Sequence, residues 1–181
     1  MTYPSVISAV VRALASETMS GVGGSDFEPK VRVAKQRGDI IGREATFLVD
    51  CMVHARLRKG LSGDQWNVLV AKYSTHTERK HAAIVQLSRR VSSPAPERFR
   101  DAAVATWAIP KLPGVDGKRS TSVLPEAWYV PSNWCDEGRP DSTLRRWRNG
   151  IRKSLDTKVN EALVVAQEIL DNEGLIVSRA A

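Results

Sequence analysis

Apolar residues recur at three- and four-residue intervals along much of the chain, the spacing that places side chains on one face of an α-helix. The clearest run lies within residues 141–174, and its apolar stripe comprises Leu144, Trp147, Ile151, Leu155, Val159, Ala162, Ala166 and Ile169. We expect Asp141 or Ser142 to cap this helix, and Asn172 and Gly174 to mark its end. The pattern therefore predicts one long helix in this part of the sequence.

Shorter helices are predicted earlier in the chain. They cover approximately residues 1–15, 40–57, 62–73, 78–91 and 97–108. In the second of them, one helical face is lined by Ile41, Ala45, Leu48, Met52 and Ala55. The first is amphipathic and has no basic residues ahead of its apolar stretch, so we interpret it as an ordinary helix and not as a signal peptide.

The last three of these helices have recognisable caps and inward-facing residues. Ser62 and Gln65 fit the capping box, in which each side chain binds the other residue's free backbone N–H. Pro110 stops the final helix of the group. The residues expected to face inward are Trp66, Leu69, Val70 and Tyr73, then Ile84, Leu87 and Val91, then Phe99, Ala103 and Trp107.

Residues 111–140 are rich in proline and glycine and predict a long irregular loop, a kind of segment that is usually functional or mobile. We expect residues 111–122 to form its tip and three aromatic residues to anchor it: Trp128, Tyr129 and Trp134. The whole pattern predicts an all-α fold. A single helical domain would consist of a helical bundle with helix-turn-helix-like elements, this loop insertion, and a long C-terminal helix over residues 141–175.

The chain is basic, with a net charge of +7 and a pI near 9.7. Three internal blocks carry the excess: residues 28–59, 72–100 and 139–158. Residues 159–181 are instead acidic. Such an excess favours acidic partners, of which nucleic acid is the commonest.

The strongest candidate for such binding lies at the start of the long helix. With Leu144, Trp147 and Ile151 facing inward, five residues are expected to face outward: Arg145, Arg146, Asn149, Arg152 and Lys153. The predicted DNA-binding residues are Ser142, Thr143, Arg145, Arg146, Arg148, Asn149, Arg152 and Lys153. Arginine reads guanine edges and asparagine reads adenine edges in the major groove, and cations at the margins hold phosphates. The alternative is that these residues form the solvated side of a surface helix and bind no partner.

A second candidate is the run of three helices over residues 62–108, which is arranged like a helix-turn-helix. Its third helix is rich in alanine and offers only Arg98 and Arg100 as readers. A packing bundle is therefore the favoured interpretation. Phosphate contacts remain open for its other basic residues, namely Lys72, Arg79, Lys80, Arg89 and Arg90.

Other classes of function have little support in the sequence. Cys51 and His54 lie one helical turn apart without the C-x-x-C pairs of a zinc site, so we expect no metal and no cofactor. No glycine-rich phosphate loop or paired catalytic acids are evident, so we expect no catalytic residues, although a nuclease with scattered residues stays open. The two distant cysteines indicate a reducing, cytoplasmic setting, and no apolar run suggests a membrane span.

Two blocks of the sequence resemble a known family. The order Asp50-Cys51-Met52, Arg56-Leu57-Arg58-Lys59, Leu69-Val70 and Tyr73 resembles the central helices of bacteriophage Q-type transcription antiterminators. The distal block, WAIPKLPGVDGKRSTSVLP followed by EGRPDSTLRRWRNGIRKSL, is similar to AlpA-like antiterminators of Pseudomonas prophages. The long loop and final helix depart from the short Q-type pattern.

The resemblance implies a role in transcription. Such proteins bind promoter-proximal double-stranded DNA, load onto bacterial RNA polymerase with its sigma factor, and narrow the RNA exit channel so that terminators are read through. On this chain, residues 142–153 would read DNA, and the loop cations Lys111, Lys118 and Arg119 would contact the channel, the polymerase or nascent RNA. A plain surface connection is the alternative for the loop. A repressor or small terminase subunit without polymerase contact is the alternative for the protein.

Overall fold

The described part of the chain folds mainly into α-helices. The computed structural model describes residues 3–19, 43–111 and 124–176. Its helices are α1 Val6–Met19, α2 Arg43–Gly60, α3 Gly63–Tyr73, α4 Thr77–Arg90, α5 Glu97–Ala108 and α6 Asp141–Asn172. Two 3-10 helices, η1 Glu126–Tyr129 and η2 Pro131–Trp134, precede α6. The described residues form no β-strand, and the predicted all-α class is confirmed.

Helix α6 is the central element of the fold. It has 32 residues, which corresponds to a length of about 48 Å, and it packs against α1, α2, α3 and α5. Its buried residues are Leu144, Ile151, Leu155, Val159, Ala162, Ala166 and Leu170. The predicted stripe is thus largely confirmed, with Trp147 and Ile169 only half-buried. Gly174, at a φ of 65°, follows the helix end in the left-handed conformation that favours glycine.

The N-terminal cap of α3 agrees with the sequence prediction, and the N-terminal cap of α6 does not. The capping box of α3 is confirmed, with Gln65 N–H donating to Ser62 Oγ at 3.3 Å and Ser62 N–H to Gln65 Oε1 at 3.0 Å. The predicted side-chain cap of α6 was wrong. Pro140 occupies the N-cap position, and its carbonyl oxygen accepts from the N–H groups of Thr143 and Leu144 at 2.9 and 3.2 Å. Its fixed φ prepares the first turn without a capping side chain.

Helix α2 turns a different face to the core from the one that its apolar spacing suggested. Leu48 and Met52 are 44% and 63% exposed, whereas Val53 and Leu57 are fully buried. Asp50 lies on the buried side of α2, where it accepts hydrogen bonds from the Tyr3 hydroxyl at 2.6 Å and from the Arg12 guanidinium of α1 at 3.0 Å. Leaving a buried carboxylate without hydrogen bonds costs more free energy than leaving two apolar side chains exposed.

Helices α3, α4 and α5 pack against one another in chain order. The residues predicted to face inward are buried, apart from the half-buried Tyr73. The connection between α3 and α4 is short, as in a helix-turn-helix, since it contains only residues 74–76. The helix-turn-helix interpretation stays a prediction, because packing of this kind also occurs in ordinary bundles.

Tyr3 joins the two ends of the described chain to the core. Its N–H donates to the Leu175 carbonyl at 2.7 Å, and its hydroxyl donates to the Asp50 carboxylate. Burial, together with the hydrogen bond to Asp50 and the negative charge of that residue, raises the pKa of Tyr3 well above its ordinary value. The folded protein therefore holds this phenolic proton at a pH at which the unfolded chain releases it.

Stability should consequently fall at high pH. Above the ordinary tyrosine pKa of 10.0, the unfolded state loses a proton that the folded state keeps, so Tyr3 contributes a decline of up to about 1.4 kcal/mol per pH unit. Tyr3→Phe should remove this contribution, and the difference in free energy of unfolding between the two proteins should shrink from pH 9 to pH 11. Urea titrations at several pH values measure that difference. A difference that stays constant would contradict the role of Tyr3.

Candidate nucleic-acid interface

The first three turns of α6 separate apolar from basic side chains. Leu144 and Ile151 are buried and Trp147 is half-buried. On the opposite side, the exposed residues are Arg145, Arg146, Asn149, Arg152 and Lys153. We call these five residues the basic face. Their exposure agrees with the orientation expected from the sequence, whereas their role in binding DNA stays a prediction.

The basic face is compact and has no acidic residue within it. Arg145, Asn149 and Arg152 follow one another at steps of four and three residues, and Arg146 and Lys153 flank Asn149 in the same way. From Arg145 to Lys153 the helix rises by about 12 Å, so the five side chains lie within little more than two helical turns. Residues 142–153 contain no Asp or Glu, and the nearest acidic residues on α6, Asp141 and Asp156, flank this segment.

The cations of the basic face are also free of ion pairs with the carboxylates that the structure describes. Salt bridges in these parts of the chain involve other basic residues. Four positive charges therefore stand together in solvent, held close by one helix. This arrangement attracts a polyanion, since each contact releases counterions from it.

The basic residues of α3 and α4 are mostly engaged within the protein. Arg79 pairs with Glu17, and Arg90 pairs with Asp64. Lys72 lies over the ring of Trp107, with Nζ 4.6 Å from its centroid. Lys80 Nζ donates to the Ser74 carbonyl at 3.3 Å, and burial, assisted by the nearby Lys72, lowers the pKa of Lys80. These contacts favour α6 over the α3–α4 unit as the available basic surface.

The remaining predicted DNA-binding residues lie at the edges of the basic face. Ser142 is exposed and Thr143 half-buried on the first turn of α6. Arg148 is half-buried, and its Nε is shielded from solvent without a hydrogen-bond partner among the described residues. One turn beyond the face, Asp156 accepts a hydrogen bond from Trp107 Nε1 at 2.8 Å.

Arg148 and Arg145 line a cavity that the sequence did not indicate. It has a volume of about 340 Å³ and lies between η2 and the start of α6. Its other polar residues are Ser132 and Asp141. No local pattern links Ser132 to Arg148, because an irregular segment separates them and only the docking of η2 on α6 brings them together.

Aromatic residues fix the irregular segment to the bundle. Phe99 lies in edge-to-face contact with Trp134 and Trp147, at ring-centroid distances of 5.1 and 5.6 Å. Tyr129 donates its hydroxyl hydrogen to the Ile109 carbonyl at 3.0 Å. Trp128, the third expected anchor, is 43% exposed and lines a cavity together with residues of α5. Its backbone carbonyl accepts a hydrogen bond from Trp134 Nε1 at 2.8 Å.

The structure describes only one of the three predicted loop cations. Lys111 is exposed and forms a 3.0 Å ion pair with Glu126 of η1. Lys118 and Arg119 lie outside the described residues. The proposed contact of this loop with polymerase or RNA stays a prediction.

The parts of the chain seen in the structure also contain no cluster of three or more His, Cys, Asp or Glu side chains suited to a metal ion. Cys51 is a free thiol. His54 pairs with Glu17 and contacts the Trp66 ring edge at 5.1 Å between centroids. No helix in the described ranges combines the length and apolar character that a membrane span requires.

The chain was compared with family models, curated proteins and solved structures, and none of the three comparisons found a match. The resemblance to Q-type antiterminators therefore depends on the sequence motifs alone. The candidate site consists of the basic face and the cavity beside it.

Proposed function

We propose that this protein binds double-stranded DNA through the basic face of α6 and acts as a transcription antitermination factor. The main observation in support of DNA binding is the set of four exposed cations on one helical face. None of them is paired with a described carboxylate. The antitermination role is supported by the motifs shared with Q-type proteins.

In this proposal the start of α6 enters the major groove with its apolar side held against the bundle. Arg145 and Arg152 reach guanine edges, and Asn149 between them reaches an adenine edge. Arg146 and Lys153 contact phosphates and set the register of the helix on the duplex. Ser142 and Thr143, on the first turn, contact a further phosphate.

The second part of the proposal concerns bacterial RNA polymerase. After binding promoter-proximal DNA, the protein loads onto the polymerase with its sigma factor and travels with it. Residues 111–122 then narrow the RNA exit channel, with Lys118 and Arg119 facing nascent RNA or an acidic polymerase surface. A terminator hairpin does not form in the narrowed channel, so transcription continues.

A run-off transcription assay tests this function. The template carries the protein's own promoter region and a terminator downstream, and purified protein should increase the read-through product. A control template with an unrelated promoter should show no increase. Reduced initiation without read-through would identify a repressor instead. Ring-shaped oligomers without polymerase contact would identify a small terminase subunit.

Shortening residues 111–122 is expected to separate DNA binding from terminator read-through. Because the basic face lies on α6, DNA affinity should change less than twofold, whereas read-through in the run-off assay should be lost. A linker of equal length made of Gly and Ser is the matched control for the charged residues, and it should also fail to support read-through. Full read-through with either variant would show that this segment is only a connection.

A further inference from the structure

We infer that the cavity between η2 and the start of α6 binds one phosphodiester group of the DNA backbone. The inference rests on the proposed function and deepens it, because it assigns a phosphate site beside the residues that read bases. Arg145 and Arg148 line the cavity together with Ser132. All three groups donate hydrogen bonds, and phosphate oxygens accept them.

Arg148 is the main reason for assigning a ligand here. Its Nε is shielded from solvent yet has no hydrogen-bond partner among the described residues. Shielded donors are almost always paired in folded proteins, because an unpaired donor loses its contacts with water. An acceptor that enters the cavity would meet the positive charge of this guanidinium, because Arg148 is one of the lining residues.

The size and charge of the cavity suit a phosphate. Its volume of about 340 Å³ is many times the roughly 30 Å³ of one water molecule in the liquid, so a phosphate fits with part of its hydration shell. Asp141 is the one carboxylate among the described lining residues, and the two arginines leave an excess of positive charge. Asp141 therefore weakens phosphate binding without abolishing it.

The position of the cavity favours the phosphate of a duplex. Arg145 belongs both to the cavity lining and to the basic face. A phosphate held by Arg148 and Ser132 consequently lies next to the groove that Arg152 and Asn149 enter. A contact of this kind fixes the register of the reading helix on the duplex.

The first experiment probes the cavity with inorganic phosphate alone. The NMR signal of the Arg148 Nε–H, assigned with Arg148→Lys, should shift saturably as phosphate is added at constant ionic strength. Sodium chloride at the same ionic strength should leave it in place, and Arg145→Gln should weaken the response. Absence of a saturable shift would overturn the phosphate site.

The second experiment uses a 30-base-pair duplex and the dependence of affinity on salt. Arg148→Gln should reduce the slope of log K against log salt concentration by about 1, the loss of one phosphate contact. Asp141→Asn should bind several-fold more tightly. Arg90→Gln, which removes an equal charge on α4, should leave the slope unchanged.

The two experiments distinguish the possible failures. A response to phosphate with an unchanged slope in Arg148→Gln would overturn the DNA assignment and identify free phosphate as the ligand. Duplex binding with no response to phosphate would overturn the cavity site and leave the proposed function intact. Absence of duplex binding by the unaltered protein would overturn the proposed function itself. Circular dichroism of each variant checks that the helix content of the protein is unchanged.

Discussion

Replacing Arg145 and Arg152 together with alanine is expected to weaken DNA binding by roughly 2–6 kcal/mol, because each bidentate contact with a base contributes about 1–3 kcal/mol. Both side chains are exposed on the same side of α6 and pair with no described carboxylate, so no internal ion pair is lost. Their removal should therefore leave stability nearly unchanged. Fluorescence anisotropy with a labelled promoter fragment at fixed salt measures the loss.

The matched control is Arg89→Ala combined with Arg90→Ala. This pair removes the same net charge from the last turn of α4, which belongs to the alternative helix-turn-helix unit. Its effect on affinity should be less than about tenfold, because only long-range attraction is reduced. A larger loss from the α4 pair than from the α6 pair would place the reading helix in the α3–α4 unit.

Phe99→Ala is expected to lower the free energy of unfolding by about 3–5 kcal/mol, the usual cost of truncating a fully buried aromatic side chain. Phe99 is 0% exposed and contacts Trp134 of η2 and Trp147 of α6. The substitution leaves a cavity where α5, η2 and α6 meet. Urea unfolding followed by tryptophan fluorescence measures the change.

Met52→Ala serves as the control for this substitution. Because Met52 is 63% exposed on α2, its truncation should change stability by no more than about 0.5 kcal/mol. The comparison also tests the orientation of α2. Losses of similar size in the two variants would mean that Met52 faces the core after all, as the apolar spacing of α2 alone suggests.

Local pattern was sufficient to predict much of the fold. The stripe of α6 and the capping box of α3 depend on residues a few positions apart, and both are seen in the structure. The orientation of α2 was not predictable in this way. Two adjacent apolar stripes run along that helix, and the choice between them depends on Asp50 meeting Tyr3 and Arg12 of a distant segment.

The candidate site was predictable only in part, for the same physical reason. Periodicity places Arg145 and Arg152 outside the apolar stripe that contains Leu144, and both are exposed in the structure. It does not reveal that Arg148 turns toward a cavity lined by Ser132, because that contact depends on how an irregular segment docks on α6. The engagement of the α4 arginines likewise requires partners from other helices.

Photo-crosslinking from α6 tests the central claim most directly. A benzophenone amino acid replaces Asn149 within the basic face, and in a second protein it replaces Asn160, which is exposed on a similar side of α6 three turns farther along. With a labelled duplex, the account predicts a strong crosslink from position 149 and almost none from position 160. Equal crosslinking from the two positions, or none from position 149, would contradict it.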